Sequence, residues 1–195
     1  MYKILFFTAL ALFFVSNTFA QVETRFGLKG GMNISRFGGD SYFDDWTSRV
    51  DFHFGGVVEI LLNAKFSLQP ELLYSAQGSN VNYGARKTKL NYLLLPVMGK
   101  HYLIEGLSLE AGPVLGYLIS AKWKGQRTSE GGHETVDVTD SFNTIDFALG
   151  IGSSYRLDMG MFFSLRYDFG LTNINSGESG KNKNNVAMFS VGYNF

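Results

Sequence analysis

Cysteine is absent from the 195 residues, so neither a disulfide framework nor an acylated lipoprotein cysteine can exist, and the fold must hold without covalent staples. Lysine plus arginine equal aspartate plus glutamate, 17 each, which removes any general attraction to nucleic acid. Beyond Val15 no run of 18 apolar residues occurs, which excludes a helical membrane protein. Histidine and proline are scarce, three of each.

In their place stand 23 glycines, 18 phenylalanines and 10 tyrosines, preceded by a leader. Lys3 gives a positive start, Ile4 to Val15 is apolar except for Thr8, and Thr18-Phe19-Ala20 offers small residues at the cleavage positions before Gln21. This reads as a secretory signal peptide; about 12 apolar residues fall short of the ~20 a spanning helix requires. The expected organisation is residues 1–20 as signal peptide and 21–195 as one domain, with a net charge of −1 once Lys3 is removed.

Within that domain the hydrophobic period is two. In KFSLQPELLYSAQG, Phe66, Leu68, Pro70, Leu72 and Tyr74 share one phase and Lys65, Ser67, Gln69, Glu71, Ser75 and Gln77 the other, with Leu73 a misfit. Such alternation is the pattern of a strand with two unlike faces. Eight candidates follow: roughly Arg25 to Ser35, Asp51 to Leu62, Lys65 to Gln77, Thr88 to Leu103, Leu107 to Ser120, Asn143 to Arg156, Gly160 to Leu171 and Asn185 to Phe195. Short turns alternate with long polar connections over residues 36–50, 78–87, 121–142 and 172–184. A meander of this kind places all its long loops at one end, as outer-membrane barrels do.

The phase decides which face meets lipid. Bulky residues fall together (Phe163, Leu165, Tyr167, Phe169), and glycine plus charge fall opposite (Ser164, Arg166, Asp168, Gly170). An eight-stranded barrel has a narrow interior, so the bulky phase is expected outside, where water would not tolerate a continuous apolar belt and a bilayer requires one. The fold class is therefore all-β: an eight-stranded antiparallel up-and-down transmembrane β-barrel, with a soluble lipocalin-like carrier as the rival. Phe52, Phe54, Tyr74, Tyr92, Tyr102, Tyr117, Trp123, Tyr155 and Tyr193 are expected in interfacial girdles. Pro70, Pro96 and Pro113 predict bulges or rim positions, and the phase around Leu93 to Leu95 stays open.

FGLKGGMNIS, SLQPELLYSAQG, NYLLLPVMGKHY, LEAGPVLGYLIS and SLRYDFGLTNI together resemble the PorT-like outer-membrane β-barrel proteins, small OmpA/OmpX-type eight-stranded barrels of one phylum of Gram-negative bacteria. The resemblance covers essentially the whole mature chain. It implies outer-membrane localisation, export by the general secretory route and recognition of Tyr193 and Phe195 by the barrel-assembly machinery. Leu94 stands where that family often carries an acid, and Ser190 where glycine is commoner.

Inward-phase charges are Lys29, Glu59, Lys65, Glu71, Lys100, Glu110, Asp146, Arg156, Arg166 and Asp168. Ions in a low-dielectric lumen must be paired, so they are expected to form a structural network that includes Glu71 and Arg166. No cofactor, metal or catalytic site is expected. His53 is close in height to Ser48 and Asp51 without a recognised catalytic spacing, Glu130, His133 and Glu134 make a thin metal set, and Asn33-Ile34-Ser35 matches a glycosylation triplet by chance. The functional expectation is a non-enzymatic, monomeric protein whose four external loops meet an unspecified extracellular ligand; a small lipid-modifying enzyme is the alternative.

Overall fold

The computed structural model describes residues 23–39, 46–81, 86–126, 133–177 and 180–195. The leader and the tips of the external connections, including the side chains of Glu130, His133 and Glu134, lie outside the described residues. Among the described residues nine strands form: β1 (Thr24–Gly39), β2 (Trp46–Leu61), β3 (Phe66–Val81), β4 (Arg86–Tyr102), β5 (Leu107–Gln126), β6 (His133–Asp137), β7 (Ile145–Arg156), β8 (Met161–Gly170) and β9 (Asn182–Asn194). Each barrel strand pairs antiparallel with its neighbours, β1 pairs with β9, and β4 with β5, so eight strands close on themselves. β6 adds to the external end of β5 and stands above the barrel.

The bulky phase faces outward. Phe26 and Leu28 are each 60% exposed, while the neighbouring Gly27 and Lys29 are buried. Strand four resolves in the same way: Leu93 and Leu95 point out and Leu94 is buried in the lumen. A register shift lies just above them, between Asn91 and Tyr92. A second lies between Ser48 and His53.

The prolines do not cause these bulges. The β3–β4 register is continuous from Pro70 opposite Val97 to Leu73 opposite Leu94, and β4–β5 from Pro96 opposite Val114 to Gly99 opposite Ala111. Each proline forfeits one donor, and the pairs on either side hold the strands in step.

Strands also run beyond the expected limits. β1 to β4 are 16 or 17 residues and β5 is 20, so much of residues 36–50, 78–87 and 121–142 is hairpin rather than loop. Above the apolar belt a ladder needs no greasy face. Its polar side chains bond across strands instead, as Ser79 Oγ does to the Thr47 carbonyl at 2.9 Å and Asn80 Nδ2 to the Ser48 carbonyl at 3.2 Å.

Two expected girdle residues turn inward. Tyr92 is 1% exposed inside the lumen, and the Tyr102 hydroxyl donates to Glu59. Room for Tyr92 and the other large side chains of the lumen comes from glycines. A Cβ on Gly116 would come within 3.3 Å of both Leu94 and Tyr92, and one on Gly150 within 3.2 Å of Met98.

Candidate functional site: the lumen and its external rim

Three layers fill the lumen. Nearest the short turns, Glu59 accepts from Ser67 Oγ at 2.7 Å and from the Tyr102 hydroxyl, with Lys100 Nζ at 3.2 Å and Arg25 Nη1 at 3.9 Å. Lys100 also donates to Gln69 Oε1 at 3.1 Å, and Gln69 Nε2 donates to Glu71 Oε1 at 2.7 Å, which links this layer to the next.

In the central layer Glu71 Oε2 receives Lys29 Nζ at 2.8 Å and both Arg166 Nη atoms at 3.1 Å. Arg166 Nε lies 3.4 Å from Asp168 Oδ1. Glycine beside three of the four ions explains why these side chains fit, while Glu71 faces Val57. Lys29 stands between Gly55 and Gly192, Arg166 opposite Gly152 and Asp168 opposite Gly150. Glu110 is buried on the other side of Gly152, directly across from Lys100, with its Oε1 unbonded.

The remaining inward-phase candidates stand apart. Asp146 is buried nearer the external end and accepts from Thr172 Oγ1 at 2.5 Å. Arg156 is half-buried at the turn end, with its Nε unbonded. Lys65 is not in the lumen. Asn63 Oδ1 accepts from the Lys65 and Phe66 backbone N–H groups at 2.9 and 3.0 Å, so the chain is still turning there and the lysine is exposed.

Sequence reasoning missed a buried relay on the same wall. Asn33 Nδ2 donates to the Phe52 and Ala76 carbonyls and to Ser75 Oγ, leaving its Oδ1 to accept from His53 Nδ1–H at 2.7 Å. His53 Nε2 then accepts from Ser190 Oγ at 2.8 Å. Residues 33, 53 and 190 share no spacing motif; only the registers of Gly31 with His53 and with Ser190 bring them together. The order hydroxyl, imidazole, amide is that of a nucleophile with its base and orienter, here with the histidine 1% and the serine 6% exposed.

The external half of the lumen sets an apolar cluster beside buried polar side chains such as Asn33, Gln77, Asp146 and Asn184, a larger apolar share than the glycine, serine and paired ions expected there. Leu73, Leu90, Tyr92, Leu94, Val114, Leu118, Val186 and Met188 pack together, and Ile174 from the connection after β8 closes the cluster at 0% exposure. That connection is tied to the one before β7 by Asn143 Nδ2, which donates to the Asn173 and Asn175 carbonyls at 2.8 and 3.0 Å. Residues 172–184 therefore include a lid. A cavity of about 20 Å³ remains among Gln77, Leu94, Asp146, Asp168 and Asn184, room for about one water. Among the described residues no group of His, Asp and Glu could hold a metal ion.

Outside, Tyr193 and Phe195 are exposed, and their rings meet edge-on at 5.6 Å. On the rim, Lys87 lies opposite Lys124 and Lys89 opposite Lys122.

The profile of the family described as "Outer membrane protein beta-barrel domain" matches residues 19–176. No curated protein sequence matches the chain. Among solved structures, the attachment invasion locus protein Ail of Yersinia pestis is similar at 15% identity, covering 89% of this chain and 99% of its own, with a TM-score of 0.55. Its complex with the heparin analogue sucrose octasulfate gives 16%, the same coverage and 0.55. Neisserial surface protein A gives 12%, 87% and 97%, with 0.57. At such identities the likeness is one of fold.

Proposed function

Because the chain belongs to the outer membrane protein beta-barrel domain family, we propose that this outer-membrane barrel is a non-enzymatic structural and interaction protein that works through its external hairpins. The observation that carries this reading is the filled lumen. An apolar cluster under Ile174 lies above a buried layer of Lys29, Glu71, Arg166 and Asp168, which supports a bore filled by side chains, as eight strands allow. In this reading the charges are a structural network that fills the barrel.

We further propose that residues 1–20 are a cleaved signal peptide for the general secretory route, that the chain is a monomer of the PorT-like group, and that the assembly machinery reads Tyr193 and Phe195. The hairpins above the membrane then supply the recognition surface. Ail, of the same fold, has been captured with a heparin analogue, which supports a polar ligand for a barrel of this kind.

A cysteine-free chain makes the test clean. A photocrosslinking residue is placed at Val136 or Ser176 externally, and at Ala64 in a short turn, in intact cells. Adducts from the external positions and none from Ala64 are expected; absence of adducts from both external positions would remove the interaction role. The enzymatic reading keeps one favouring observation, the Ser190–His53–Asn33 relay. A fluorophosphonate probe that labels Ser190 in the folded barrel, and fails in His53→Ala, would establish it.

A further inference from the structure

The external extension of the β4–β5 hairpin carries an arrangement that a sheet normally avoids. Lys87 faces Lys124 and Lys89 faces Lys122 as directly paired residues, and like charges directly opposite each other destabilise a ladder. All four point away from the lumen, because the residues between them, Thr88 and Leu90 on β4, are buried at 1% and 0%. Burial, and then Arg49, Lys124 and Lys87, hold the Lys89 ammonium below its ordinary pKa, so the cations lie within range of one another.

Local anions relieve the crowding only in part: Asp51 acts on Lys89 and Asp137 on Lys122 at a distance, and neither closes an ion pair with a lysine. Arg49 is paired with Asp51. Asp137, opposite Lys122, accepts from the Thr139 backbone N–H and hydroxyl at 3.0 and 2.7 Å. Among the described residues none of the four lysines forms an ion pair.

Height identifies the missing partner. Directly below the lysines on the same face, Asn91 Nδ2 donates to Ser120 Oγ at 2.9 Å. Below that pair lie the exposed Leu93 and Tyr117, opposite each other. Ile119, exposed at the register shift above Tyr117, tops the apolar surface of this hairpin; three residues from it to Lys122, at about 3.3 Å each and a tilt near 45°, raise the lysines about 7 Å above it. That is the headgroup layer, where clustered lysines draw anionic lipid.

We propose that Lys87, Lys89, Lys122 and Lys124 form a seat for the phosphorylated headgroup of a glycolipid in the outer leaflet. The order along this face, apolar, then amide and hydroxyl, then cation, matches the order of acyl chain, sugar and phosphate in such a lipid. The proposal rests on the membrane reading above, and the sequence accepts the repulsion in the bare hairpin because the bound phosphate offsets it.

The full-length barrel is purified in detergent and mixed with bis-phosphorylated lipid A, monophosphoryl lipid A or phosphatidylcholine, and retained lipid is read by native mass spectrometry. The quadruple variant K87Q/K89Q/K122Q/K124Q is compared with K181Q/K183Q, which removes exposed cations elsewhere on the rim. Retention of bis-phosphorylated lipid A is expected to fall by about five-fold per lysine replaced in the quadruple variant and to stay level in the control. Monophosphoryl lipid A should bind more weakly and phosphatidylcholine should not discriminate.

Equal retention by the quadruple variant would overturn the proposal. So would loss of sucrose octasulfate binding with lipid A retention intact, which would make the seat one for a soluble polyanion. Relief of like-charge repulsion predicts that the quadruple variant folds at least as well as the parent, read by its heat-dependent gel shift. A parent chain that shows no such shift and does not sediment with membranes would count against the membrane reading, a failure visible separately from loss of lipid binding.

Discussion

Glu71→Gln takes away the carboxylate shared by Lys29 and Arg166, whose side chains are 2% and 1% exposed. Two buried cations then have Asp168, 3.4 Å from Arg166 Nε, and the more distant Glu110 to offset them. Removing one member of a buried ion set typically costs about 3–5 kcal/mol, most of it the penalty for the charge left behind. Adding Lys29→Met removes the surplus cation and leaves Arg166 with Asp168, so the double variant should recover at least about 2 kcal/mol, a coupling of the size that touching groups show. The assay is urea unfolding of the barrel in lipid vesicles, followed by tryptophan fluorescence and by gel mobility without boiling. A Glu71→Gln variant within about 1 kcal/mol of the parent, or effects of Glu71→Gln and Lys29→Met that simply add, would refute the argument. Either result would mean that water, and not the ion set, solvates this layer.

Three further outcomes follow from the geometry. Ile151→Arg places a cation on the outward face of β7 and should cost about 2–4 kcal/mol in vesicle unfolding if that face meets hydrocarbon; little change would contradict it. Gly192→Val should block assembly, because a Cβ there would enter the Phe162 ring and the Leu28 carbonyl; Phe162→Ala should relieve only the first clash, so a partial return of the folded gel band is expected. Ile174→Ala opens a void under the lid and should cost about 2–5 kcal/mol, yet planar-bilayer recordings should show no conductance, since the ion layer below remains closed.

The sequence carried the wall of this barrel more clearly than its contents. Alternation of Phe163, Leu165, Tyr167 and Phe169 with Ser164, Arg166, Asp168 and Gly170 is a property of a single strand, and it assigned lipid and lumen without knowledge of any neighbour. Strand ends above the bilayer were not legible, because polar hairpins lose the apolar alternation while keeping the hydrogen-bond ladder. Lys65 was misplaced by extending the phase of β3 one residue into an Asn63 turn. The partners of Glu59 and Glu71 were out of reach for a different reason. Which inward residues meet depends on the stagger between strands, and that is set jointly by all eight registers.

The same dependence accounts for Tyr92, Leu94 and Met98, which look out of place in a lumen expected to hold mainly small residues and ions. The steric limit of a narrow barrel applies to each layer across the lumen, not to each strand. β3, β4 and β5 send in Leu73, Leu90, Tyr92, Leu94, Met98, Val114 and Leu118, while the opposing wall offers Gly150 and Gly152 on β7, Gly192 on β9 and Gly31 on β1. A side chain on Gly150 would meet Met98 Cε and Arg166 Cδ, each at 3.2 Å. One glycine thus makes room for a buried methionine and for the ion layer together. Bulk and its absence are therefore distributed between strands far apart in sequence, so enlarging a glycine on one wall should be tolerated only when the residue facing it is reduced.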